Sequence, residues 1–377
     1  MKIKGPSYFI FILLLLIRSL PAFPEDFAYV LRFGPQEREY LVKFNVTNTK
    51  MEREIKLPKD NGFNNIIVDE NGGCYISNLR SGDGYFRDIY YYDPEKDAMN
   101  KFIDLGDKFG PAEMFLTDKE LIVEITGNDR TRVHSGVIFI NKKSKEITGS
   151  VFPFEDDPYY GQLNINRMFF DGNKNIFLTT FYLFKEKDPE SFINTEYTGD
   201  IIVIDVEKKQ IAKVIKIDQR YKNINGICNI GGKIYVAAQS KGNLDGTWNK
   251  YPNEELLVYS LEKGELIKTI KISPHPYDIA YDRSSGKLFV THASDKVQRD
   301  IVEIIDPVKD KIIKEIKIPS QLMFSVVAPG KMFITVGRQF LQETTVSPKL
   351  MIMDTKTDKI INEFIGEYTG ISINQRY

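Results

Sequence analysis

Short apolar runs alternate with tight polar turns along nearly the whole chain, a pattern that predicts β-hairpins. Two hairpin types recur. The first is an apolar strand ending in Asp or a substitute, a Lys-rich turn, and a second strand: IIVIDVEKKQIAKVIKI from Ile201, IVEIIDPVKDKIIKEIKI from Ile301 and LMIMDTKTDKIINEFI from Leu350. Weaker copies place the residue that opens the turn at Asn45, Asp93, Asn141 and Ser260, beside Asp205, Asp306 and Asp354 in the strong ones. The second type is an apolar strand, a Gly/Asp/Asn turn, and a strand centred on Tyr75, Ile122, Phe177, Tyr235, Phe289 or Phe333. No segment beyond the N-terminal apolar run carries a helical stripe.

Seven copies of the first hairpin against six of the second leave one strand missing, and the chain ends supply it. FAYVLRFG places Tyr29 in the second-strand pattern, while GISIN from Gly370 reads as an inner strand with no follower. Four strands per repeat at this period describe a propeller blade. The expectation is therefore an all-β, seven-bladed β-propeller of four antiparallel strands per blade, spanning 23–377. Ile371 to Asn374 would join the N-terminal strands and close the ring, removing open sheet edges.

Copies such as GKIYVAAQ and GKLFVTHA, each followed by an IDPxxDKIIKEIKI-like hairpin, resemble the YVTN-type β-propeller repeats, also seen in surface-layer and periplasmic propellers. That resemblance covers about residues 25 to 377. It implies the fold and says little of function, because one scaffold hosts many.

Composition narrows the partners. Lys+Arg number 51 against Asp+Glu 52, a formal net charge of -1, so no general electrostatic drive toward nucleic acid exists. Lys2 and Lys4 precede the run YFIFILLLLI, and Leu20-Pro21-Ala22 follows, which reads as a signal peptide over 1–22. The run is too short for a membrane span, so an exported protein, periplasmic or secreted, without a span after cleavage is expected. Cys74 and Cys228 are expected as reduced, buried thiols three blades apart.

The repeat also assigns loops to faces. Turns within the two hairpin types are short and share one face. The opposite face takes the long loops, about Gly34 to Glu39, Asn78 to Asp88, Gly127 to Ser135, Thr180 to Gly199, Gln239 to Glu254, His292 to Asp300 and Gly337 to Pro348. Tyr85, Phe86, Trp248 and Tyr251 lie there beside arginines, a composition suited to binding hot spots. Acidic residues in the same loops equally suit ion pairs that order them. Inner-strand starts converge on the mouth of the central channel, at Asn64, Asn65, Glu113, Asn166, Arg167, Asn225, Tyr277 and Asp278, with His292 at the rim.

The reading is a non-catalytic, monomeric propeller that binds a protein or glycan of the cell envelope or extracellular space. Two alternatives stand beside it. One is a hydrolase or lyase with Glu113, Asp278 and His292 as acid/base groups, or with His275, His292 and Asp278 as metal ligands; the other is a structural envelope protein. The sequence shows no Ser-His-Asp order, no phosphate-cradling Gly loop and no zinc-type spacing, so no metal or cofactor is expected.

Overall fold

The computed structural model describes residues 27–33, 38–58, 63–78, 87–106, 110–126, 135–153, 163–182, 200–218, 220–241, 251–292, 300–318, 322–336, 348–366 and 368–373. They form seven antiparallel sheets and no helix. Blade 1 pairs the C-terminal strand Tyr368–Ile373 with Phe27–Phe33, then Arg38–Asn45 and Lys50–Lys56. Its ladder sets Ala28 opposite Ile373 and Val30 opposite Ile371, so the ring is closed by the two chain ends. Blades 2 to 7 begin with inner strands Phe63–Val68, Gly110–Leu116, Leu163–Phe170, Tyr221–Ile230, Pro276–Asp282 and Leu322–Ala328, and each continues outward in chain order. Each inner strand touches its two neighbours around the ring.

The core lies between blades. Each of the seven clusters of buried side chains joins two adjacent sheets: Phe177, Ile201 and Val203 meet Tyr221, Ile234 and Leu257 across blades 4 and 5, for example. The two middle strands of a blade are covered on both faces, so they read as continuous apolar runs such as DIIVID. Outer strands such as ELIKTIK are mostly exposed, and lysines along them discourage edge-to-edge pairing.

The seven residues that open the outer turns all act alike. A side-chain oxygen accepts a backbone N–H within the turn, as in Asn48 N to Asn45 Oδ1 (3.1 Å), Lys208 N to Asp205 Oδ1 (2.9 Å) and Thr357 N to Asp354 Oδ1 (2.8 Å); Asp93, Asn141, Ser260 and Asp306 accept in the same way. Four residues on, the backbone turns left-handed at Thr49, Asp97, Lys145, Lys209, Gly264, Asp310 and Asp358. The side-chain acceptor is why the turns favour Asn and Asp at their start, and the left-handed end takes Asp, Lys or Gly in six of the seven turns, with the β-branched Thr49 the exception.

Cys74 and Cys228 are free and buried, the first on a second strand of blade 2 and the second on the inner strand of blade 5. Burial pushes the Cys228 thiol up to about 12, so it stays protonated.

Candidate functional site at the channel mouth

Every inner strand is bulged near its start. The register slips between Phe63 and Ile66, Pro111 and Met114, Ile165 and Arg167, Ile224 and Gly226, Pro276 and Asp278, and Leu322 and Phe324. In the closing blade the slip falls between Val30 and Leu31, opposite Gly370. A bulge re-aims side chains that a regular ladder would hold in the sheet. The seven bulges lie at the end of the ring where second strands finish, as Phe63 opposite Asn78 shows, so they share a face with the long second-to-third-strand connections.

Expected mouth residues fall at these bulges. Asn65 is half-buried, and its N–H donates to Ser77 Oγ (3.1 Å). Asn64 and Asn166 occupy bulged strand positions, and their side chains lie outside the described residues. Glu113, Arg167, Asn225 and Asp278, from four consecutive blades, meet directly. Arg167 donates through Nη1 to Glu113 Oε1 (2.8 Å) and through Nε to the Asn225 carbonyl (2.9 Å), with Nη2 3.9 Å from Asp278 Oδ1. The second oxygen of Glu113 accepts the Met168 N–H at 2.7 Å, so this carboxylate ties blade 3 to blade 4 twice. Burial works against the guanidinium charge, but Asp278 and Glu113 outweigh it and hold the Arg167 pKa above its usual value. Tyr277 is half-buried beside them.

Glu124, which the sequence did not single out, lies against this network at 4% exposure. It accepts the Glu113 backbone N–H, and burial, then the Glu113 charge, raise its pKa well above the carboxylate range. A carboxyl within an apolar strand, LIVEIT, was the available signal.

His292 differs from expectation. It is 2% exposed, with Nδ1 at 3.0 Å from the Pro274 carbonyl and Nε2 at 3.0 Å from Glu303 Oε2. Glu303 also accepts the Ser273 N–H and hydroxyl, at 2.9 and 2.8 Å. The imidazole therefore ties the Ser273–Pro274 crossover to its own blade instead of facing the rim. His275 is held apart, left-handed at φ 59, its N–H donating to the Asn253 carbonyl. Among the described residues, no group of three His, Cys, Asp or Glu side chains is placed to hold a metal ion.

Tyr85, Phe86 and Trp248 lie outside the described residues, as does the Tyr251 side chain; the Tyr251 backbone forms a short strand with Pro252 against Ser240 and Lys241. Buried Asn253 anchors that return by donating to the Ala238 and Glu255 carbonyls. Two other arginines near this face are held in ion pairs, Arg32 with Glu54 (2.8 Å) and Arg220 with Asp218 (2.5 Å).

No protein-family model and no curated protein matches this chain. Solved structures do. The structure of a functionally unknown protein from Desulfotomaculum acetoxidans aligns at a TM-score of 0.59 and 11% identity, over 92% of this chain and 98% of that one. Dihydro-heme d1 dehydrogenase NirN, in complex with DHE, aligns at 0.56 and 10% identity, over 94% and 76%. A chain of the mitotic checkpoint complex aligns at 0.56 and 8%, over 82% and 81%. At such identities the likeness speaks for the propeller fold alone.

Proposed function

We propose that this protein is a non-catalytic recognition propeller that seats a protein or glycan over the channel mouth and the long-loop face around it. The observation that carries the reading is the Glu113–Arg167–Asn225–Asp278 network, which draws four blades into one polar floor where the bulged inner strands begin. The same network weighs against acid/base catalysis. Both Glu113 oxygens accept hydrogen bonds, and the His292 ring is engaged on both nitrogens away from solvent. Export follows from the signal-like segment 1–22, and the YVTN-type likeness of the repeats fits a monomeric envelope or extracellular protein.

The test is capture of envelope proteins and binding to a glycan array by the intact chain and by Tyr85→Ala, Phe86→Ala, Trp248→Ala and Asp278→Asn. A binding anchor in the loops should cost about 2 kcal/mol or more of affinity when truncated, with an unchanged melting temperature. If the loop and Asp278 variants bind as the intact chain does, while substitutions in the short turns of the opposite face abolish binding, the ligand sits on the other side.

A further inference from the structure

The repeat makes the seven blades controls for one another. Counting back four residues from each turn opener, the third strand pairs with one residue of the second strand: Leu31, Ser77, Glu124, Thr179, Ala237, Thr291 and Thr335. All are almost fully buried. At three of the four hydroxyl positions the side chain closes polar backbone groups at the inner strands: Ser77 Oγ accepts the Asn65 N–H (3.1 Å) and Thr291 Oγ1 the Asp278 N–H (3.2 Å), while Thr179 Oγ1 donates to the Ile224 carbonyl (3.2 Å). Blade 3 has Glu124, accepting the Glu113 N–H. A hydroxyl performs that closure at small cost, whereas burying a carboxyl costs far more, so closure alone does not explain the glutamate.

Its surroundings supply the reason. The charged groups that face Glu124 are Glu113 on the inner strand of its own blade and Arg167 on that of the next; Val137, directly across the ladder on the third strand, carries no charge. Two carboxylates this close resist being charged together, and Arg167 is the one cation facing both among the described residues. We propose that Glu124 is a positioning residue of the channel mouth whose protonation selects the partner of Arg167: as the neutral acid it leaves the guanidinium on Glu113, and as the carboxylate it draws the guanidinium toward itself. Because Glu113 also binds the Met168 N–H, and Arg167 also holds the Asn225 carbonyl and faces Asp278, a change of partner moves the floor of the mouth across four blades. The burial and charge that raise the Glu124 pKa place this exchange on the alkaline side of ordinary carboxylate titration. The inference rests on the mouth being the binding site, and it makes that site proton-linked.

The test needs no ligand. In the full chain labelled with nitrogen-15 arginine, the Arg167 Nε–Hε signal, assigned by its loss in Arg167→Lys, is followed from mildly acidic to alkaline pH. It should shift with a midpoint above the ordinary glutamate range, and the shift should be lost in Glu124→Gln and in Glu124→Thr, which installs the residue other blades use. Both variants should also lose part of the alkaline decline in melting temperature. The sign follows from a raised carboxyl pKa: the stability is complete below the unfolded value and falls as pH rises through the folded one. A signal that titrates unchanged in both variants, or stays flat in the parent chain, overturns the assignment. Either result is independent of partner capture, so failure of the binding test and failure of this one are separable.

Discussion

At the scale of single residues, His292 and Glu303 form a buried pair in which each polar atom of the imidazole has a specific partner. The Pro274 carbonyl only accepts, so His292 Nδ1 bears a proton, and Nε2 and Glu303 Oε2 at 3.0 Å share another. Burial opposes the Glu303 charge, but His292 and Ser273 outweigh it, and its pKa lies below the ordinary value. A depressed carboxyl pKa contributes stability that is present above the unfolded glutamate value and is lost as pH falls through the folded one. His292→Ala leaves a buried carboxylate with Ser273 as its remaining side-chain partner. It should cost about 3 kcal/mol near neutral pH, and the deficit should shrink on acidification. Urea melts at a series of pH values measure both; a deficit independent of pH would remove the charge from the explanation.

At the scale of elements, the strand Tyr368–Ile373 supplies the inner edge of blade 1, and Tyr368 is 1% exposed against Ala28, Val42, Phe44 and Phe333. Removing residues 368 to 377 uncovers the Phe27–Phe33 ladder and opens the interface with blade 7 at once. The loss should appear as one cooperative drop in melting temperature, and a truncated chain that melts like the intact one would refute closure as a source of stability. This strand was legible in the sequence because GISIN had no follower and FAYVLRFG no predecessor. The turns were legible for a local reason, since Asn45 to Asp354 meet their partners within a few residues. The repeat gave the starts of the inner strands, so Glu113, Arg167, Asn225 and Asp278 were placed near one mouth together, whereas the bulges that carry them were not foreseen. Which of them pair was not legible, because Arg167 meets Glu113 and Asp278 only when three separate sheets dock. Glu124 and the burial of His292 escaped for the same reason: each is decided by what lies across a strand pair, whereas the sequence displays what lies along one.

At the scale of the whole molecule, the left-handed residue of each outer turn lies against the preceding blade, and charge joins the two where sequence permits. Asp310 of blade 6 accepts Lys233 (3.0 Å) and Lys268 (3.3 Å) of blade 5, and Asp358 of blade 7 accepts Lys287 (2.6 Å) and Lys314 (3.5 Å) of blade 6. Arg53 of blade 1 pairs with Asp97 of blade 2, and Asn362 of blade 7 donates to the Thr49 carbonyl of blade 1 at 2.9 Å. Between blades 3 and 4 the polarity is reversed. Lys209 occupies the turn position, Glu120 takes the place of Lys233 and Lys287, and Gly149 that of Lys268 and Lys314. Lys209 Nζ reaches Glu120 Oε1 at 2.7 Å by passing over Gly149, where an added Cβ would stand 2.6 Å from Lys209 Cδ. A blade 4 turn set against the lysines of blade 5 would oppose like charges, so the reversed pair disfavours one wrong neighbour as well as holding the right one. Lys209→Asp should therefore destabilise the chain by about 1 kcal/mol, Glu120→Lys by a similar amount, and the two together by less than their sum, with a coupling of about 1 kcal/mol. Denaturant melts of the four proteins give the cycle directly. High salt should shrink the coupling, since both side chains are partly exposed. Additive losses would mean that Lys209 acts through its packing over Gly149 and that charge has no part in ordering the ring.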